Sequence, residues 1–290
     1  MEIRELDYEK DIDGSVKLFN RSFANKITND YFQWKHQENP FGQSLGLVAI
    51  EKNKIVGLRM FMKWKFSRGQ NFIRAVRPVD TCTDPSYRRQ GLFTRLNAYG
   101  LKRTKDERDL IFNTPNQNSI QGNLKMGWKK LEREIRYRIG LVIPFSKRKT
   151  FAVLETENAL GQLPYERYNG GIQTFFSAGY LKWRYRFSEY KVAKFIDQTL
   201  VVFKVEKRKN IKFVIIEEIR GAQNEASKYL NSIALKFNAP LIYYLNNRKL
   251  SGSKFLISLD RGIQNVVYKG DEKGKIKEIN FSAGDLEGVI

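Results

Sequence analysis

The fold of this chain is decided by residues 79–93, which read Val-Asp-Thr-Cys-Thr-Asp-Pro-Ser-Tyr-Arg-Arg-Gln-Gly-Leu-Phe. The pattern predicts a strand that ends near Asp84, a basic loop, and a helix that Gly91 opens. The free N–H groups and positive dipole end of a helix start form an anion site. Gly91 lets a phosphate approach the backbone closely, and Arg88 and Arg89 add forked donors. The segment therefore predicts a diphosphate-binding loop.

The loop is neither a Walker loop nor a dinucleotide fingerprint, because it lacks Gly-Lys-Ser/Thr and two of the fingerprint's glycines. Residues 88–93, after Thr83-Asp84-Pro85, instead resemble the acyl-CoA signature Arg/Gln-x-x-Gly-x-Gly/Ala of the GCN5-related N-acetyltransferases (GNAT). The last position departs from that signature, since Phe93 replaces Gly/Ala and would narrow the approach of a pyrophosphate. Downstream, residues 116–119 and 124–128 resemble the family's second motif, an Asn and a Ser followed by Lys-x-Gly-aromatic.

The resemblance implies that acetyl-CoA binds as co-substrate and that no metal takes part. In this family the strand before the loop splays from its neighbour, and its backbone N–H groups hold the pantetheine arm and the thioester carbonyl. An N–H aimed at that carbonyl stabilises the developing oxyanion. The residues that the resemblance places at the cofactor are Cys82, Thr83, Asp84, Arg88, Arg89, Gln90, Gly91, Leu92, Phe93, Thr94, Asn118, Asn123 and Lys125.

Asp80 is the first candidate for the general base that takes a proton from an ammonium acceptor. It lies two residues before Cys82 and on the same strand face. The alternative is a structural role, either an ion pair with Arg77 or a hydrogen bond to a neighbouring turn. The position of the family's tyrosine general acid is occupied by Asn123. Either another residue or solvent protonates the leaving thiolate, or this branch of the family works differently. Further candidates for proton transfer are Tyr87, Tyr137 and His36.

The second half of the chain repeats the first. Three pairs of segments match in order: Tyr31–His36 with Tyr180–Tyr185, Leu47–Ile50 with Leu200–Phe203, and Asp109–Phe112 with Pro240–Tyr243. Their offsets are 149, 153 and 131 residues. The drop from 153 to 131 means that the second copy is 22 residues shorter between the second and third segments, in the region of the loop. We therefore predict an α/β fold of two tandem GNAT-like domains with mixed central sheets flanked by helices. Residues 1–145 would carry the acyl-CoA site and residues 146–290 would lack it, with the joint at the polar, basic residues 144–150.

Composition excludes several classes of protein. The 290 residues are 41% hydrophobic and 29% charged, as in globular proteins, and no apolar run reaches the ~18 residues of a spanning helix. The first residues lack the pattern of a signal peptide, so we expect a cytoplasmic protein. A single cysteine, Cys82, and a single histidine, His36, rule out an intramolecular disulfide and metal sites rich in thiolate or imidazole. The net charge of +21 attracts polyanions.

The resemblance implies an N-acyltransferase that moves an acetyl group from acetyl-CoA to a small-molecule primary amine by direct attack in a ternary complex. The whole chain also resembles bacterial acetyltransferases associated with surface polysaccharides, which suggests an amino-sugar acceptor. Two alternatives stay open. An aminoacyl-tRNA-dependent transferase of the peptidoglycan-bridge type is favoured by the charge and disfavoured by the loop, so nucleic acid is allowed but not favoured. A non-catalytic CoA-binding module is favoured by Asn123.

Overall fold

The computed structural model describes residues 1–156, 171–186, 189–221, 226–247, 250, 254–270 and 274–286. The chain divides into two compact units. Unit 1 comprises Met1–Phe66, Phe72–Lys130 and Val266–Ile276, and unit 2 comprises Ser67–Asn71, Leu131–Asn265 and Lys277–Ile290. No helix among the described residues is long and apolar enough to cross a membrane.

Strands dominate both units. In chain order the strands and α-helices are β1 (Glu2–Glu5), α1 (Ile12–Ser22), α2 (Asn29–His36), β2 (Leu45–Glu51), β3 (Lys54–Arg68), β4 (Asn71–Thr83), α3 (Leu92–Arg103), β5 (Leu110–Asn113), α4 (Gln117–Lys125), β6 (Lys129–Lys130), β7 (Ile135–Leu141), β8 (Phe151–Glu155), β9 (Gln173–Thr174), α5 (Ala178–Arg184), β10 (Tyr190–Phe195), β11 (Leu200–Arg208), β12 (Ile211–Arg220), α6 (Ala226–Lys236), β13 (Leu241–Asn246), β14 (Ser258–Gln264), β15 (Val267–Lys269) and α7 (Ala283–Leu286).

The sheet of unit 1 has the order β1-β2-β3-β4-β5-β15-β6 and is mixed, because β4 and β5 are parallel whereas β1–β2 and β2–β3 are antiparallel. Its central strand β3 is apolar from Ile55 to Met62, apart from Arg59, because both of its faces are covered there. Leu58 and Met60 pack with residues of α1 and α2, including Leu18 and Phe32. On the other face, Phe61 packs with Leu96 of α3.

Gly100 lies where α3 crosses β3, and this contact gives a prediction. A Cβ built at Gly100 would overlap the ring of Phe61, which is fully buried. We expect Gly100→Ala to lower the free energy of unfolding by about 1–3 kcal/mol, because a packed ring must move. Urea unfolding measures this change. The neighbouring Tyr99→Ala, at an exposed helix position, is the matched control, and equal losses in both variants would contradict the proposed overlap.

The sheet of unit 2 has the order β8-β10-β11-β12-β13-β7-β14, with a parallel pair at β12–β13. It matches the first sheet strand for strand. In each sheet, the sixth strand of the order is distant in sequence from the strands on either side of it or comes from the other repeat. Strand β15 pairs with β5 and β6 in unit 1, and β7 pairs with β13 and β14 in unit 2. The prediction of an α/β chain with two mixed sheets is confirmed, and the two repeats have exchanged one strand.

The structure differs from the predicted division of the chain at residue 145. Residues 135–141 form β7 of the second sheet, and residues 267–269 form β15 of the first. The predicted match of Leu47–Ile50 with Leu200–Phe203 is also wrong, because the latter lies in β11, the counterpart of β3 rather than of β2. The figure of 22 missing residues depended on that match. Both runs are apolar strand starts after a turn, which is why they look alike in sequence.

Candidate functional site

The basic loop lies between β4 and α3, as the sequence predicts. Asp84 begins it by accepting a hydrogen bond from the backbone N–H of Ser86 at 3.1 Å, which caps a 3₁₀ turn at Pro85–Tyr87. Arg89 and Gly91 then adopt left-handed backbone conformations, with φ of 63° and 74°. The turn between these two residues leads directly into α3, whose N-cap is Gly91.

The N-terminus of α3 is open to a ligand. Its first backbone hydrogen bond runs from the N–H of Arg95 to the carbonyl of Gly91, so the N–H groups before Arg95 have no partner within the helix. Arg88, Arg89, Gln90 and Thr94 are all exposed around this helix start. Leu92 is buried instead, where it packs with Ala49 and Val56 and fixes the helix on the sheet. The exposed groups can hold an anion, and Leu92 supports the backbone that does so.

Strand β4 diverges from β5 just before this loop. Their register joins Ala75 with Leu110 and Val76 with Ile111, and β4 then continues to Thr83. The N–H of Asp84 donates to Val56 of β3 at 2.9 Å. Because backbone groups alternate between the two edges of a strand, the N–H of Thr83 points towards β5. This edge of β4 can receive an extended chain such as a pantetheine arm.

Asp80 is bound by two side chains of α2. Its carboxylate accepts a hydrogen bond from Lys35 Nζ at 2.8 Å and another from His36 Nε2 at 2.8 Å. The side chains of Lys35 and His36 are 5% and 0% exposed, and that of Asp80 is 12% exposed. Burial alone would raise the pKa of Asp80, but the charge of Lys35 and the hydrogen bond from His36 outweigh it and hold that pKa well below its usual range.

This arrangement does not favour Asp80 as a general base, because a carboxylate with a depressed pKa is a weak proton acceptor. The partners of Asp80 are Lys35 and His36, whereas Arg77, the partner considered from the sequence, donates to Thr114 Oγ1 at 2.8 Å. His36 is no better as a base, since burial lowers the pKa of its ring and its two nitrogens contact Asp80 and Ser44. Asp80 has a φ of 48°, so the cluster holds β4 in a left-handed conformation next to the diverging stretch.

Unit 2 repeats this contact between a helix and a central strand. Thr28 caps α2 by accepting from the N–H of Tyr31, and Ser177 caps α5 by accepting from the N–H of Tyr180. In unit 2 the hydroxyl of Tyr185, the counterpart of His36, donates to the carboxylate of Glu218 on β12 at 3.1 Å. The recurrence in a unit without the loop motif indicates that the acidic residue holds the helix to the sheet.

Cys82 is buried on the face of β4 that packs against α1 and α2. Burial and the charge of Asp80 raise the pKa of its thiol to about 12, so the thiol is neutral at physiological pH. Its side chain is part of the core. Only its backbone lies in the stretch that diverges from β5.

Two predicted cofactor ligands on α4 are not placed at the loop. Asn123 is fully buried, where its amide donates to the carbonyl of Ser119 at 2.8 Å and accepts from Asn113 at 3.3 Å. Lys125 is the last residue of α4. Because β4 and β5 are parallel, α3 and α4 both start at the edge that carries the loop, and Lys125 lies at the far end. The backbone of Asn118 lies in the first turn of α4, and its side chain is outside the described residues.

The tyrosines considered for proton transfer lie in different units. Tyr87 is half-buried in the 3₁₀ turn of the loop and packs against the cluster of Leu92. Tyr137 belongs to β7 of unit 2, where its ring stacks on Tyr243 at 5.2 Å between centroids.

Sequence reasoning missed Arg59 of β3. Its side chain is 1% exposed, and Nη1 donates to Thr81 Oγ1 at 2.6 Å. The guanidinium lies 4.8 Å from the ring centre of Phe93, in the first turn of α3. An arginine between Leu58 and Met60 in a buried apolar strand was the available signal.

The loop, the diverging end of β4 and the starts of α3 and α4 lie at the same edge of the sheet of unit 1. Residues 2–130 match the family model of the acetyltransferase (GNAT) domain. Residues 2–130 of this chain therefore form a domain of the GCN5-related N-acetyltransferase family.

Solved structures with the same fold cover both units. A GCN5-related N-acetyltransferase from Anabaena variabilis has 10% identity and a TM-score of 0.73, over 94% of this chain and 74% of that chain. A probable N-acyltransferase from Enterococcus faecalis has 11% identity and a TM-score of 0.71, over 92% and 71%. Eis1 from Mycobacterium abscessus has 12% identity and a TM-score of 0.67, over 93% and 74%. No curated protein sequence matches the chain.

Proposed function

We propose that this chain transfers an acetyl group from acetyl-CoA to a small primary amine. The observation that carries the proposal is the open N-terminus of α3 behind a loop with Arg88, Arg89 and the left-handed Gly91, next to the diverging edge of β4. The family of residues 2–130 supports acetyl transfer in general. The proposal commits to acetyl-CoA as the donor and to an amine as the acceptor.

In this proposal each part of the loop has one task. The backbone N–H groups at the start of α3 and the side chains of Arg88 and Arg89 hold the diphosphate. The N–H of Thr83 binds the pantetheine arm along the free edge of β4, and the backbone at Cys82 lies nearer to the thioester. The acceptor nitrogen attacks the thioester carbon, the C–S bond breaks, and the thiolate leaves. We assign Asp80 to positioning β4, and the proton of the acceptor passes to solvent.

The proposal predicts one CoA per chain. In unit 2 the sequence between β12 and α6 contains no Arg-x-x-Gly. Glu218 near the end of β12 is bound by Tyr180, Tyr185 and Arg220, so a carboxylate lies where a diphosphate would approach. Native mass spectrometry of the purified chain with acetyl-CoA measures the stoichiometry. Two equivalent sites would contradict the assignment, and no binding would overturn the proposed donor.

The acceptor is tested by a screen of amines that includes amino sugars, with release of free CoA thiol as the readout. The amino-sugar expectation rests on resemblance to polysaccharide-associated acetyltransferases, and turnover of other amines alone would remove it. The aminoacyl-tRNA alternative draws on the net charge of +21. It would gain support if tRNA bound tightly and with strong salt dependence while CoA did not bind.

A further inference from the structure

We propose that the buried guanidinium of Arg59 is the counter-charge of the cofactor's diphosphate, acting from beneath the first turn of α3. The proposal rests on the proposed function and adds to it a specificity-determining residue. Arg59 belongs to β3, outside both of the motifs that the sequence shows.

Arg59 lacks the partners that a buried arginine needs. Its side chain is 1% exposed, and Nε and Nη2 have no hydrogen-bond partner in the part of the chain that the structure describes. Nη1 donates to Thr81 Oγ1, a neutral oxygen. Among the described residues no carboxylate is bonded to it, and Asp80, on the neighbouring strand β4, is bound by Lys35 and His36 instead. A buried cation without a counter-ion is costly, so the protein retains it against a substantial energetic penalty.

The location of Arg59 adds to that penalty. The guanidinium lies 4.8 Å from the ring centre of Phe93, the second residue of α3, so it is next to the positive end of the helix dipole. Phe61 packs against it from the strand side at 5.5 Å, so the charge is shielded from water. Burial lowers the pKa of Arg59 to about 9, in accord with this exclusion of solvent. The guanidinium and the start of α3 are both positive, and the first turn of α3 contains no acidic residue.

An anion at the start of α3 compensates both features at once. Charges interact strongly across a low-dielectric interior, so Arg59 need not touch the ligand to attract it. The diphosphate of CoA is doubly negative and is joined directly to the pantetheine arm, so an arm that lies along β4 brings the diphosphate to this helix start. Phe93, which replaces the family's Gly or Ala, then covers the guanidinium and excludes water from it. The neutral pantetheine arm lies along β4 and gains nothing from this charge.

Calorimetry with three probes, CoA, inorganic pyrophosphate and pantetheine, tests the proposal. We expect Arg59→Gln to weaken CoA and pyrophosphate at least tenfold, about 1.4 kcal/mol, and to leave pantetheine within twofold. Arg59→Lys, which keeps a cation, is expected to retain CoA affinity within threefold. Unchanged CoA binding in Arg59→Gln, or an equal loss for pantetheine, would overturn the role of Arg59.

Arg77→Gln is the matched control, because Arg77 is 2% exposed, donates to a threonine hydroxyl and faces an aromatic ring. It is expected to cost similar stability without changing the ratio of CoA to pantetheine affinity. If Arg59→Gln does not fold, Arg59→Lys decides the matter. Because lysine keeps the positive charge, a tenfold loss of CoA affinity in Arg59→Lys without loss of stability contradicts the proposal. If the wild type binds pyrophosphate but not CoA, the proposed function fails, and loss of pyrophosphate binding in Arg59→Gln still supports the role of Arg59. Binding of none of the probes overturns both.

Discussion

Gly91→Val is expected to abolish CoA binding, with at least a hundredfold loss of affinity. Gly91 has a φ of 74°, a backbone conformation that a β-branched residue adopts only with strain. A Cβ at this position meets no protein atom within 4 Å, so it would point into open space around the loop. In the proposed function, the diphosphate occupies that space. Calorimetry with CoA measures the loss.

Gly69→Val controls for the backbone strain. Gly69 lies in the turn between β3 and β4, at the opposite end of β4, and has a φ of 58° with no atom within 4 Å of a built Cβ. It therefore carries a similar conformational cost away from the loop. We expect both variants to lose similar stability in urea unfolding and only Gly91→Val to lose CoA. Wild-type affinity in Gly91→Val would remove the loop from the site.

Asp80→Ala is expected to lower the free energy of unfolding by about 3–5 kcal/mol, because it leaves the ammonium of Lys35 buried without its carboxylate. Loss of CoA affinity should accompany loss of stability, since Asp80 holds β4 next to the loop. From the sequence alone, Asp80→Asn would lower turnover far more than CoA binding. The contacts of Asp80 with Lys35 and His36 instead predict that stability and CoA affinity fall together with turnover.

The double variant Lys35→Met/Asp80→Asn separates the two roles of Asp80. A positioning residue can be replaced together with its charge partner, so stability and turnover should recover substantially relative to Asp80→Asn alone. A catalytic base cannot be rescued in this way. Loss of turnover in Asp80→Asn with unchanged stability and CoA affinity would restore the carboxylate as the base.

The same cluster makes stability depend on pH. The pKa of Asp80 is lower in the folded chain, so its contribution is present above the ordinary aspartate pKa of 3.8 and is lost as the pH falls below it. His36, whose pKa burial lowers, is neutral when folded and adds a loss of stability below its ordinary pKa of 6.5. Acid unfolding of the wild type should therefore be steeper than that of Lys35→Met/Asp80→Asn.

The sequence predicted the elements whose signals are local. The loop at residues 84–91 and the start of α3 follow from Gly91 and from the basic residues before it. The strands β2 to β5 follow from apolar runs between polar turns. The cofactor ligands carried over from the motif stay predictions. For Asn123 and Lys125, they depend on which end and face of α4 meets the loop, which the motif does not specify.

What the sequence could not show depends on contacts between distant segments. Asp80 is bound by Lys35 and His36, more than forty residues earlier, and no spacing rule connects them. Strand β15 has three residues, too few for a periodic pattern to appear. The sequence shows that Arg59 is unusual in an apolar strand. Only the structure shows that its guanidinium lies beside Phe93 and that Nε and Nη2 have no hydrogen-bond partner among the described residues.

The place of β15 in the first sheet has a consequence for protein synthesis. The sheet that carries the loop includes Val267–Lys269 between β5 and β6, whereas the rest of unit 1 ends at Lys130. A ribosome adds about 5–20 residues per second, so the last strand follows the others by on the order of ten seconds. Until then, β5 has an open edge. A nascent chain therefore cannot complete the sheet that carries the loop until it has been synthesised as far as Lys269.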